Sequence, residues 1–192
     1  MAYATDASVY QELPIAVALP REEADLVKLV TFCRDAELPM IPRTAGTSLA
    51  GQVVGNGLVI DLSRYMNALL EVNKEEKWVR VQPGIERDVL NELLLPYGLF
   101  FGPETSTSNR AMIGGMIGNN SCGLHSMVWG ATRDHVLELK VILSNGDEAL
   151  IGALDTAGLE AKLAHPGMEG NIYRAMHQLL ADEANQAAIK EG

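Results

Sequence analysis

The residues of this chain best suited to chemistry sit in two short loops of small side chains. The first is Arg43-Thr44-Ala45-Gly46-Thr47-Ser48-Leu49-Ala50-Gly51, and the second runs from Ile113-Gly114-Gly115-Met116-Ile117-Gly118 to Asn119-Asn120-Ser121-Cys122-Gly123. Small residues let backbone N–H groups approach a ligand unobstructed, and successive N–H groups form a concavity that suits an anion. Either loop alone is also what an ordinary Gly-Ser turn contains. Together they point to one long ligand with a phosphate in its middle.

The two loops, with the segment Trp129-Gly130-Ala131-Thr132-Arg133-Asp134-His135-Val136, resemble the FAD-binding domain of the FAD-linked oxidases. This is the vanillyl-alcohol oxidase and p-cresol methylhydroxylase family, and the D-2-hydroxy-acid dehydrogenase branch is the most similar. The resemblance runs roughly from Tyr3 to Tyr173. It implies that Arg43, Thr44, Ala45, Gly46, Thr47 and Ser48 surround the FAD pyrophosphate. It places Pro103, Glu104 and Thr105 beside the flavin, with Glu104 expected to turn to solvent. Gly114, Gly115, Gly118 and Gly123 would let a strand and turn approach the ring and ribityl chain. Asn119, Asn120 and Ser121 would donate hydrogen bonds there, although asparagines also cap turns and helices.

This first loop departs from the family's Arg-Gly-Gly-Gly pattern, since Thr44 and Ala45 carry a Cβ. Gly46 is therefore the position expected to need a positive φ. Thr47 stands where covalently flavinylated relatives carry histidine, so the resemblance implies non-covalent FAD. Cys122 is a conceivable attachment point but is expected to be a small packing residue. His125 and His135 are candidate bases. The family instead draws its substrate-binding and basic groups from a C-terminal cap domain, so no catalytic residue is assigned here. The four histidines do not fall at metal-ligand spacings with carboxylates, and no metal site is expected.

Composition narrows the rest. With 192 residues, 47% hydrophobic and 21% charged, the chain can build one sizeable core. A formal net charge of −10 argues against nucleic acid as a partner. Cys33 and Cys122 lie far apart with no paired spacing, no apolar run is long enough to span a bilayer, and the N-terminus lacks a signal pattern. The expectation is a cytoplasmic protein.

The elements that position the loops follow from periodicity. Val17-Ala18-Leu19 reads as a strand. A helix then starts after Pro20, with Leu26, Leu29, Val30 and Cys33 on one face. Leu58 to Asp61 reads as a buried strand and Trp78 to Gln82 as a half-buried one. Glu86 to Leu95 is predicted helical, with Val89, Leu90, Leu93 and Leu94 inward. Val136 to Leu143 and Glu148 to Ile151 flank an Asn145-Gly146 hairpin turn. Gly170-Asn171 precede a last helix with Ile172, Met176, Leu179, Leu180 and Ala184 inward.

The reading is an α+β, two-lobed FAD-binding domain of the vanillyl-alcohol oxidase type. It lacks the regular, repeated βαβ alternation and the G-x-G-x-x-G turn of a Rossmann domain. One domain is expected over 1–192, with lobes roughly 1–75 and 76–192 and no cap domain. The resemblance implies oxidation of a D-2-hydroxy acid, a small-molecule substrate, by hydride transfer to flavin N5. Electrons would pass to a quinone, an electron-transfer protein or an iron–sulfur domain not encoded here. The alternatives are a sugar or alditol oxidase or a cell-wall precursor reductase of the same fold, and a non-catalytic flavin-binding module or fragment.

Overall fold

The computed structural model describes residues 2–191. They form two compact units, one ending at Val136 and the other starting at Leu137. The expected lobe boundary near residue 75 falls inside the first unit.

The first unit opens with strand β1 (Ala16–Ala18), helix α1 (Glu23–Asp35), β2 (Met40–Arg43) and β3 (Leu58–Asp61). These strands make a parallel sheet in the order β1-β3-β2. The central strand Leu58-Val59-Ile60-Asp61 is buried at all four positions, as a strand covered on both faces requires. Cys33, Leu58 and Ile60 form its core, with Leu26, Leu29, Leu38 and Met40 packed against them. Burial pushes the Cys33 thiol above its ordinary pKa. The predicted face of α1 is therefore the observed one.

Next come an antiparallel pair, β4 (Leu69–Asn73) and β5 (Trp78–Val81), and helix α2 (Arg87–Leu94). A 3₁₀ turn over Leu95–Tyr97 closes α2, and Gly98 follows at φ 68°. Helix α3 (Ile113–Gly118), helix α4 (Ser126–Trp129) and a 3₁₀ turn over Thr132–His135 complete the unit. Ile85, Leu90, Leu94, Ala111, Ile113 and Met116 form the second core, lined by Val72, Val79, Val81 and Phe101. Burying one such large side chain contributes about 1.5–3 kcal/mol. The sequence misplaced two of the four residues on the inner face of α2. Leu90 and Leu94 are buried, but Val89 and Leu93 are 41% and 45% exposed. An i, i+4 pair suffices for the narrow seam this short helix presents.

The second unit holds β6 (Glu138–Ile142) and β7 (Glu148–Gly152), the predicted hairpin, followed by α5 (Thr156–Ala164), α6 (Met168–Ala181) and α7 (Glu183–Glu191). The strand expected over Val136 to Leu143 is shorter: Leu137, 66% exposed, precedes β6. Asp155 caps α5 by accepting from the Gly158 amide at 2.7 Å. Gly170 lies inside α6, pressed against the His165 carbonyl. Helix α6 starts at Met168, four residues before the Ile172 expected, because Gly167 at φ 89° makes the turn, and it ends at Ala181, so that Ala184 falls in α7. Ile172, Met176, Leu179 and Leu180, expected inward, are 42–52% exposed. Among the described residues no helix is long and apolar enough to cross a membrane.

Candidate functional site: two small-residue loops brought together

Strand β2 delivers Arg43 to the edge of the first loop, where the chain turns at Gly46 with φ 67°. Thr44 and Ala45 keep negative φ, as their Cβ atoms demand. Gly46 lies directly on the Arg43 side chain: a Cβ added there would fall 2.7 Å from Arg43 Cζ. Arg43 Nη1 is buried without a hydrogen-bond partner, and no ion pair joins Arg43 to a carboxylate among the described residues. A buried donor left unmatched costs about 1–3 kcal/mol. A phosphate oxygen would satisfy it, so this loop fits an anionic group.

The second loop is a helix, not the strand and turn expected. Ile113 and Met116, three residues apart, are both buried and pin α3 to the core. The Gly114 amide donates to the Pro83 carbonyl at 2.8 Å, and that of Ile113 to Ile85 at 3.0 Å. Gly115 faces the first loop, where an added Cβ would sit 2.6 Å from Thr44 Oγ1. The two loops predicted to share a ligand are therefore adjacent. Gly118 has open space around its Cα, and both Gly115 and Gly118 are exposed.

Asn119, Asn120 and Ser121 terminate this helix. Asn120 takes the left-handed conformation at φ 46°. Its amide bonds the Ile117 carbonyl, and the Ser121 amide bonds that of Met116, the paired pattern of a Schellman cap. Asn120 Oδ1 accepts from the Arg133 amide at 3.0 Å, and Asn119 Nδ2 donates to Ser121 Oγ at 3.3 Å. Thr132, 1% exposed, donates from both its hydroxyl and its amide to the Ser121 carbonyl. This ties the Trp129–Val136 segment to the second loop. Asn120 thus does the capping work weighed against a ligand contact.

The third predicted segment meets the same loop. Gly123 packs on the Glu104 backbone, where an added Cβ would fall 2.9 Å from the carbonyl carbon. Glu104 does not turn freely to solvent: its Oε1 lies 2.5 Å from His125 Nδ1. Pro103 is fully buried, and Thr105 Oγ1 pairs with Thr107 Oγ1 at 3.2 Å. His135 Nε2 donates to the Trp129 carbonyl at 2.6 Å, and its ring packs edge-on to Phe101 at 5.6 Å. Cys122 is exposed, not a packing residue: the cap at Asn120 turns the chain outward after Ser121.

Two sets of residues at this site escaped the sequence reading. Arg87 donates from Nε to the Pro103 carbonyl at 3.1 Å and from Nη2 to the Phe101 carbonyl at 3.3 Å. Asn91 bonds both the amide and the carbonyl of Phe101. The polar side of α2 therefore holds the 101–103 backbone. The other set is the N-terminal arm. Tyr3 donates to the buried Asp61 carboxylate at 2.8 Å, and its ring lies 5.5 Å from Arg43 Cζ. The Ala7 amide bonds the Ser48 carbonyl, and the Tyr10 ring lies against Gly51. Spaced tyrosines before a glycine-rich loop were the available signal.

The fold gives the class before sequence gives the family. Two crystal forms of alkyldihydroxyacetonephosphate synthase superpose with TM-scores of 0.64 and 0.63, over 71% of this chain and 25–26% of theirs, at 22% and 21% identity. The architecture is that of a vanillyl-alcohol oxidase-type FAD-binding fold, α+β and with no closed barrel. Residues 14–150 match the FAD binding domain family, and the chain belongs to it. Its cofactor is FAD.

Among similar proteins, the D-2-hydroxyglutarate dehydrogenase of Pseudomonas putida is 45% identical over 94% of this chain and 18% of its own length. That of Escherichia coli is 43% identical over 91% and 17%. The glycolate oxidase subunit GlcD of Bacillus subtilis is 36% identical over 90% and 38%. The chain spans less than a fifth of the length of the dehydrogenases it matches.

Proposed function

We propose that this chain is the FAD-holding part of a flavoenzyme that oxidises a D-2-hydroxy acid, and that it binds FAD without a covalent bond. The observation that carries the binding site is the unmatched Nη1 of Arg43, whose guanidinium lies beneath Gly46 through its other atoms. It lies on the loop that meets the second loop at Thr44 and Gly115. In this reading residues 43–48 take the pyrophosphate. The exposed backbone at Gly115 and Gly118, with Gly114, Gly123, Asn119, Asn120 and Ser121, lies along the remainder of the cofactor, and Pro103, Glu104 and Thr105 flank its ring. FAD held by these residues would supply the hydride-acceptor chemistry, and the protein the binding and orientation. The 43–45% identity to D-2-hydroxyglutarate dehydrogenases supports the substrate class.

The same reading keeps one FAD-binding domain across 1–192, with lobes meeting near residue 75. It takes a quinone, an electron-transfer protein or an iron–sulfur domain as the electron acceptor, and a cytoplasmic setting. Thr47 offers no ring nitrogen for a flavin bond, which supports dissociable cofactor.

The test is direct. The purified chain, incubated with FAD and desalted, should show a flavin absorbance band. Acid precipitation should then release all of the yellow colour into the supernatant. Flavin retained on the pellet would refute the non-covalent mode, and a colourless desalted protein would refute FAD binding by this chain.

A further inference from the structure

The family match begins at residue 14, yet the residues before it are built into the first loop. Thr5 and Gln11 form an antiparallel bridge, and the Glu12 amide bonds the Ala4 carbonyl, so residues 4–12 close on themselves. Ala4 is completely buried. The arm touches the loop through Ala7 on Ser48 and through Tyr10 on Gly51. At its start, Tyr3 lies between two charges of opposite sign. Its hydroxyl donates to Asp61 Oδ2 and its ring faces the Arg43 guanidinium.

From this geometry we infer that Tyr3 is a positioning residue for FAD binding: it holds the Arg43 guanidinium in place for the cofactor's phosphate, with Asp61 fixing Tyr3. The inference rests on the cofactor reading above. The arrangement separates two jobs that one carboxylate would confuse. Asp61 stands opposite Arg43 in the parallel register of β2 and β3. Its oxygens are taken by the Tyr3 hydroxyl and the Ser63 amide. A carboxylate bonded to the guanidinium would neutralise the charge that an incoming phosphate needs. An aromatic face attracts the cation without removing its charge or occupying its N–H groups. The hydrogen bond to Asp61, with burial and the Asp61 charge behind it, raises the Tyr3 pKa above its ordinary value. The phenol therefore stays neutral and keeps its proton for Asp61 at physiological pH.

The experiment is a double-mutant cycle read by FAD titration of the 192-residue chain, with Tyr3→Leu, Arg43→Gln and the pair. Tyr3→Leu should weaken FAD about tenfold, the scale of a partly desolvated cation–π contact. Tyr3→Phe retains the ring but loses the bond to Asp61, and should recover only part of that loss. In the Arg43→Gln background, Tyr3→Leu should cost less than about twofold, because the group it positions is gone. A residue that merely stabilises the arm would give the same loss in both backgrounds, and that result overturns the inference, as does unchanged affinity in Tyr3→Leu. Thermal unfolding of each variant checks the fold. If Tyr3→Leu does not fold, Tyr3→Met, which fills the space without an aromatic face, decides in its place. Wild-type chain that bound no FAD would overturn the cofactor reading instead.

Discussion

Gly46 is constrained twice, by its left-handed φ of 67° and by the Arg43 guanidinium beneath it. Gly46→Val should abolish FAD binding in a titration. A β-branched side chain is strained at that φ, and any Cβ there displaces Arg43. The second core lies elsewhere, among Ile85, Leu90 and Met116, so the unfolding transition should persist. Unchanged FAD affinity would mean that the first loop is only a turn. At this scale the sequence was legible wherever steric rules apply residue by residue. Thr44 and Ala45 exclude positive φ, which left Gly46. It was silent where a side chain's partner is remote in the chain. Nothing near Glu104 announces His125 twenty-one positions away, and nothing near Arg43 announces Tyr3.

Helix α2 shows what an element contributes beyond its apolar face. Arg87, 16% exposed at the side chain, reaches the carbonyls of Phe101 and Pro103. Asn91, one turn on, holds the Phe101 backbone. Arg87→Met keeps the aliphatic stem but strands those carbonyls. It should destabilise the chain by about 2 kcal/mol, from charged hydrogen bonds lost, and weaken FAD through the Pro103–Thr105 segment. Unfolding in denaturant and flavin titration check the two effects, and an unchanged midpoint would remove Arg87 from this role. The hydrophobic pattern of α2 was readable and its polar face was not, because polar residues on a surface helix carry no periodic signature of a partner. The reverse error befell α3. Its three glycines disfavour a helix by roughly 1 kcal/mol each, and they drew the reading towards strand and turn. Ile113, Met116 and Ile117, spaced i, i+3, i+4, were the helical signal, and tertiary docking outweighed propensity.

For the molecule as a whole, the informative quantity is coverage. The chain carries the FAD-binding portion but under a fifth of the length of the dehydrogenases it resembles. Of its histidines near the loops, His125 is paired with Glu104 and His135 donates to a backbone carbonyl. The FAD-loaded chain should therefore show little or no flavin bleaching with D-lactate or D-2-hydroxyglutarate under anaerobic conditions. Without groups to orient the hydroxy acid and take its proton, proximity and general-base effects worth orders of magnitude are missing. Rapid, saturable bleaching would place the catalytic groups within these 192 residues, and His125 would be the first to substitute. Helix α6 carries the matching lesson about prediction. Ile172, Met176, Leu179 and Leu180 do share a helical face, as their spacing required, yet the face is exposed. Periodicity identifies which residues point the same way, not whether the described chain supplies something to cover them.

The contrast between the two cysteines has a practical consequence. Cys33 is 1% exposed and its thiol resists ionisation, whereas Cys122 is exposed and follows Ser121 directly. Thiolate reagents need access and ionisation together. The native chain is thus a single-handle protein, and a maleimide dye would enter at one known point within the second loop. A flavin arriving there would quench that dye, so cofactor arrival can be timed on the unmutated sequence.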